Sequence, residues 1–138
     1  MSTPRLLGFA GILPFYLSLA AVLMWPQSQL ALISLIGYGA VILSFLGAVH
    51  WGMAMQEPDQ TQAGRSYVFS VVPALLGWLA FISPYQPALI VLAAGFGWVW
   101  LREYQKPPSL MPAWYRQLRG VLTAAILPAL IIGAIFSG

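Results

Sequence analysis

The chain is 138 residues long, 60% hydrophobic and 7% charged, with no cysteine and a formal net charge of +3. Soluble domains carry about 25% charged residues, so this inventory cannot cover a water-exposed surface. Disulfides, thiolate metal sites and cysteine nucleophiles are excluded, and the charge is too small and too localised to suggest nucleic acid.

Five apolar runs, at 6–25, 29–55, 66–82, 86–102 and 118–136, each come near the roughly 20 residues that cross a bilayer. They predict an all-α, polytopic membrane protein, a single domain over residues 1–138 built as a bundle of five transmembrane helices. The first run follows Arg5. It is too long for the apolar core of a signal peptide and ends without an Ala-x-Ala site, so it reads as a signal anchor. No Arg- and Ser-rich transit peptide precedes it, which favours a bacterial inner membrane. Trp25-Pro26 closes this helix at the far interface, where indole rings collect.

The second run holds the stretch that organises the chain, residues 37–52, and within it the one histidine, His50. Each helical residue advances about 100°. Ala40, Ser44, Ala48 and Gly52 then form a small-residue stripe expected to face neighbouring helices, while Tyr38, Ile42, Phe45, Val49 and Met53 are expected to face lipid. His50 falls beside Gly39, Leu43 and Gly47 and is expected to point inward. Residues 56–64, with Glu57 and Asp59, read as a solvated turn.

Arg5, Arg65 and Arg119 precede Pro14, Pro73 and Pro128 by eight or nine residues, and Gly37-x-Gly39 is echoed by Gly95-x-Gly97. The hairpins are therefore candidates for a parallel duplication with a fifth helix added. Each proline removes a backbone donor and frees a carbonyl, for which Ser70 and Thr123 are the nearest hydroxyls. The fourth connection, 103–117, contains Lys106-Pro107-Pro108 and then Leu110, Met111, Trp114, Tyr115 and Arg116. Aromatic and basic residues together suit the inner headgroup layer; a partner-docking loop is the alternative.

With five spans, all six Lys and Arg side chains fall on one side and none on the other. Basic residues are retained in the cytoplasm, which predicts a cytoplasmic N-terminus and a periplasmic C-terminus. The outer half then holds no ionisable group, and its polar residues (Gln29, Ser34, Ser83 and Gln86) look terminal or isolated. A proton path across the bilayer is therefore not expected.

No nucleophile–base set, phosphate loop or metal-ligand cluster is present, so no catalytic residue, metal or cofactor is expected. The polar groups at the cytoplasmic helix ends mark one candidate ligand pocket: His50, Trp51, Tyr67 and Glu103. His50 lies about five residues inside its helix end, where a polar group is costly without a partner; Glu103, Tyr67 or water is expected to supply one. Two readings follow. Either the pocket holds the head of a lipid or quinone-like molecule with Trp51 stacked beside it, or His50 makes a structural interhelical contact. The expected partners are membrane lipids, with a larger membrane complex or a homo-oligomer as the open protein partners. The overall expectation is a non-catalytic accessory protein; a facilitator or channel for a small neutral solute is the alternative.

The run Gly39-Ala-Val-Ile-Leu-Ser-Phe-Leu-Gly-Ala-Val-His-Trp-Gly52 resembles the signature of the transmembrane-protein-69-like family, and Leu7-Gly8-Phe-Ala-Gly11-Ile-Leu-Pro14-Phe15 is similar to that family's first helix. The resemblance covers nearly the whole chain. It implies a small multi-pass membrane protein of unknown function, with no activity, cofactor or catalytic residue to carry over.

Overall fold

In the computed structural model, which describes residues 3–25, 28–105 and 111–137, the first apolar run is split in two. Helix α1 (Thr3–Ala10) and helix α2 (Leu13–Met24) are separated by Gly11 and Ile12. Pro14 lacks an N–H, and its ring crowds the carbonyl four residues earlier, so the helix opens just ahead of it. The Gly11 carbonyl finds its donor on a neighbouring rod, the Tyr38 hydroxyl, at 2.9 Å. Four unbroken helices follow: α3 (Gln29–Ala54), α4 (Gln60–Phe81), α5 (Tyr85–Gln105) and α6 (Ala113–Ser137).

Two expected helix starts move. The helix expected from residue 66 starts at Gln60, because the Asp59 carboxylate accepts from the backbone N–H groups of Thr61 (2.9 Å) and Gln62 (3.4 Å). That N-cap satisfies donors the first turn leaves open, and it shortens the connection after α3. The last helix begins at Ala113 rather than 118, so Trp114, Tyr115 and Arg116 stand in its first turns and not in a surface loop. The side chain of Arg5, Pro26, and residues 106–110 with Lys106-Pro107-Pro108 lie outside the described residues.

The rods close into a ring. Helix α2 packs on α3 and α6, α3 on α4, α4 on α5, and α5 on α6, with α3 also touching α5 across the middle. Phe15, Leu35, Leu43, Leu89, Leu92, Phe96 and Leu130 fill the centre and are fully buried. Phe15 sits edge-on to Tyr38 at 4.9 Å and to Phe96 at 6.1 Å, a geometry that aligns ring edges with π faces. Large apolar side chains also crowd the outside, among them Leu17, Leu30, Val41, Phe45, Val68, Leu75, Ile90 and Ile135. An outer surface of that kind is stable against lipid and not against water. Among the described residues four segments are long and apolar enough to cross a membrane: Leu6–Met24, Gln29–Ala54, Gln60–Phe81 and Ala113–Phe136. Helix α5 has a similar length, 21 residues, but its apolar centre is diluted by Tyr85 and Gln86 at one end and Arg102 and Glu103 at the other.

The small-residue stripe of α3 is not its buried face. Leu32, Leu35, Ile36, Gly39, Leu43, Leu46, Gly47, His50 and Ala54 are buried; Ala40 and Ser44 are half-buried, and Ala48 and Gly52 are exposed. Nothing approaches within 4 Å of a Cβ placed on Gly52. The reason is position in the ring: α3 is contacted from three sides, so large residues must fill its central face. Close approach is concentrated elsewhere. A Cβ at Gly47 would lie 2.2 Å from the Ser70 carbonyl oxygen, and one at Gly77 would lie 3.0 Å from that of Ala40. Helices α3 and α4 therefore meet backbone to backbone, as small residues permit in lipid.

Hydrogen bonds between rods use groups that looked isolated. Ser34 pairs with Ser18 at 2.9 Å, and Gln86 Nε2 donates to the Ala134 carbonyl at 2.9 Å. Near Pro128 the Tyr16 hydroxyl donates to the Ala125 carbonyl at 2.5 Å. Ser70 donates to its own helix, at the Tyr67 carbonyl (2.7 Å), whereas Thr123 is turned away from the proline and toward Arg119.

Candidate functional site

Three helices bring charged side chains into the bundle at one end. On α5 the buried positions Ala88, Leu92, Phe96, Val99 and Glu103 recur every three or four residues, so Glu103 continues the face that enters the core. On α6 Arg119, Thr123, Ile126 and Leu130 follow the same spacing. On α3 His50 extends the line of Gly39, Leu43 and Gly47, as its helical phase requires. The three ionisable groups are nearly sealed from solvent: His50 and Glu103 are each 5% exposed and Arg119 is 3% exposed.

The guanidinium of Arg119 grips the Glu103 carboxylate on two edges. Nη2 donates to Oε1 at 2.9 Å, and Nε is shared between Oε1 (3.2 Å) and Oε2 (3.3 Å). Nη1 donates to the Thr123 hydroxyl at 3.3 Å, one helical turn on. His50 Nε2 lies 3.7 Å from Glu103 Oε2, beyond hydrogen-bond range yet within ion-pair reach when protonated. Glu103 is therefore the hub, facing a permanent cation on α6 and a titratable one on α3. A buried ion pair is tolerable only with this kind of fork geometry, because each charge has lost its hydration.

Of the four residues expected to form one pocket, the fold unites two. His50 and Glu103 meet; Trp51 and Tyr67 form a separate pair, edge-on with ring centroids 4.6 Å apart. Trp51 is 46% exposed. Adjacent helical residues point about 100° apart, so Trp51 cannot share the inward direction of His50. The ring beside the imidazole is Phe69, at 4.7 Å and 72°, and Arg102 caps the same Phe69 with its guanidinium 5.4 Å from the ring centroid.

Sequence reasoning missed Arg119 as a site residue. Its neighbours Trp114 and Arg116 suggested a headgroup anchor, whereas the informative signal was Thr123 four residues later. That spacing places a hydroxyl beside the guanidinium on one helix face.

Two cavities flank the cluster. A small one of about 130 Å³ is lined by Trp100, Glu103, Tyr104, Met111, Arg116 and Arg119. A larger groove of about 530 Å³ runs between α1–α2, α3 and α6. Its walls are largely apolar, including Leu7, Phe15, Ile42, Phe45, Leu122 and Ile126, with Trp114, Tyr115 and Arg119 at one end. Arg119 borders both spaces. Among the described residues no group of three or more His, Cys, Asp or Glu side chains could hold a metal ion.

Comparison with known proteins places the chain among transmembrane proteins. The chain is 34% identical over 134 residues to Transmembrane protein 69 of Xenopus tropicalis, covering 91% of this chain and 51% of that protein. It is 28% identical over 129 residues to Transmembrane protein 69 of Mus musculus, covering 89% and 51%. The chain thus spans about half the length of these relatives. No solved structure matches it. A family described as "Protein of unknown function (DUF3429)" matches residues 1–135, and the chain belongs to that transmembrane-protein-69-like family of membrane proteins.

Proposed function

We propose that this is a non-catalytic membrane protein that holds one small amphipathic molecule, a lipid or quinone-like compound, at the cytoplasmic face. In this reading the chain crosses the bacterial inner membrane five times, with its N-terminus inside and its C-terminus outside. It acts as an accessory subunit, within a larger membrane complex or a homo-oligomer. The observation that carries the reading is the buried His50–Glu103–Arg119 cluster at the one end of the bundle where an apolar groove also opens. Buried charge inside membrane-spanning segments is expensive and commonly marks a binding site. The same end holds Arg65, Arg102 and Arg116, which belongs with the inner leaflet under the positive-inside rule.

Native mass spectrometry of the protein extracted in mild detergent tests this. A bound amphiphile that disappears in His50→Ala supports the site; the same amphiphile retained in His50→Ala counts against the part given to His50. The second reading, a facilitator for a neutral solute, draws on the break at Gly11 and Ile12 and on the prolines Pro73 and Pro128 inside the continuous helices α4 and α6. Solute flux into proteoliposomes would favour it, and co-purification with a larger complex would favour the first.

A further inference from the structure

The groove between α1–α2, α3 and α6 has a length, a polarity gradient and a charge, and together they select its occupant. On α6 its lining runs from Trp114 to Ile126, and on α3 from Val49 back to Tyr38. At 1.5 Å per residue those stretches are about 16–18 Å long. One leaflet of a bilayer is about 15 Å of hydrocarbon, half of a core about 30 Å thick. The groove therefore reaches from the boundary to the midplane and no further.

Its two ends differ. Phe15, Leu122 and Ile126 are apolar, whereas Trp114, Tyr115 and Arg119 supply hydrogen-bond donors. Arg119 has five N–H groups and commits three to Glu103 and Thr123, which leaves two. No carboxylate lines the groove among the described residues. Arg116 precedes Arg119 by three residues on the same helix, and both border the adjoining small cavity. Two guanidinium groups against the single carboxylate of Glu103 leave this end positive.

We infer that the groove binds one acyl chain of a phospholipid from the cytoplasmic leaflet, with the lipid phosphate held at the Trp114–Tyr115–Arg119 end. This deepens the proposed function and rests on its inside–outside orientation. The chain length matches a single leaflet, the donors match phosphate oxygens, and the surplus positive charge matches an anion. A neutral quinone would use the donors and leave the charge unanswered.

The test uses the full chain in mild detergent, supplied in turn with phosphatidylglycerol, a diacylglycerol with the same chains, and an isoprenoid quinone, with bound molecules counted by native mass spectrometry. One phosphatidylglycerol per chain is expected to survive, retained at least about tenfold better than either neutral compound. Val49→Trp, which fills the groove from α3, should abolish retention, while Leu75→Trp on the exposed face of α4 should not. The double variant Glu103→Gln/Arg119→Gln removes the guanidinium donors at that end without stranding a buried charge and should weaken the preference for phosphate; Trp114→Leu/Tyr115→Phe weakens the same end without touching the buried pair. Equal retention of the quinone or diacylglycerol overturns the phosphate assignment and leaves the amphiphile site standing. Equal retention in Val49→Trp and Leu75→Trp means annular lipid only and overturns the groove. No retention of any of the three overturns both the groove and the proposed function.

Discussion

Arg119 and Glu103 lie on different helices, yet the guanidinium Nη2 donates to the carboxylate Oε1 at 2.9 Å with both residues at least 95% buried. The pair bolts α5 to α6 at the end of the bundle where His50 also enters. Whatever this protein binds, the pair must survive extraction and refolding for that end of the ring to stay closed.

Removing one partner strands the other. Glu103→Leu leaves an uncompensated guanidinium in the core and should destabilise by about 3–5 kcal/mol. Glu103→Leu/Arg119→Leu removes both charges and should cost markedly less than either single change. Thermal unfolding in one detergent, run as a double-mutant cycle, checks this; single variants as stable as the wild type would show that the pair contributes little.

The glycines should divide sharply. Gly47→Ala places a methyl group 2.2 Å from the Ser70 carbonyl oxygen, with backbone on both sides and no flexible atom to yield. It should lower stability by about 2 kcal/mol or more. Gly52→Ala meets nothing within 4 Å in the same helix and should be neutral, or stabilising by up to about 1 kcal/mol through helix propensity. A thermal shift that ranks them the other way would contradict the packing of α3 on α4.

Two tyrosine hydroxyls stitch helices together close to prolines, Tyr38 to the Gly11 carbonyl and Tyr16 to the Ala125 carbonyl. Tyr38→Phe and Tyr16→Phe should each cost about 1 kcal/mol, with little change in shape. Hydrogen exchange around residues 11–16 should rise in Tyr38→Phe, and unchanged protection there would mean that water or lipid serves the carbonyl equally well.

Orientation is open to a direct measurement. A phosphatase that matures only outside the cytoplasm, fused after Gly138, should be active, and the same enzyme fused after Gln56 should be silent. The opposite pattern would reverse the proposed topology and remove the cytoplasmic leaflet from the ligand argument.

The rods themselves were legible in the chain. Apolar runs near bilayer length with almost no charge admit one secondary structure, because lipid offers the backbone no hydrogen-bond partners. The inward direction of His50 was legible too, since helical phase ties it to Gly39, Leu43 and Gly47. Helix starts were partly hidden: Asp59 is an N-cap by residue type, but the polar turn after it, residues 60–65, carries no apolar signal to announce a helix.

Three things waited for the tertiary structure. The buried face of α3 depends on how many neighbours it has, and a helix touched by α2, α4 and α5 spends its large side chains on the centre, so Ala40 and Ser44 are left half-buried at the rim of that face and Ala48 and Gly52 turn outward. Which residue would meet Glu103 was equally undetermined, because His50 and Arg119 are 53 and 16 positions away from it and only the closing of the ring brings both into reach. Trp51 and Tyr67 found each other on the outside for the same reason. Local physics in a membrane chain settles each rod's length and phase; which faces meet is a property of the whole ring, fixed by packing that no single segment encodes.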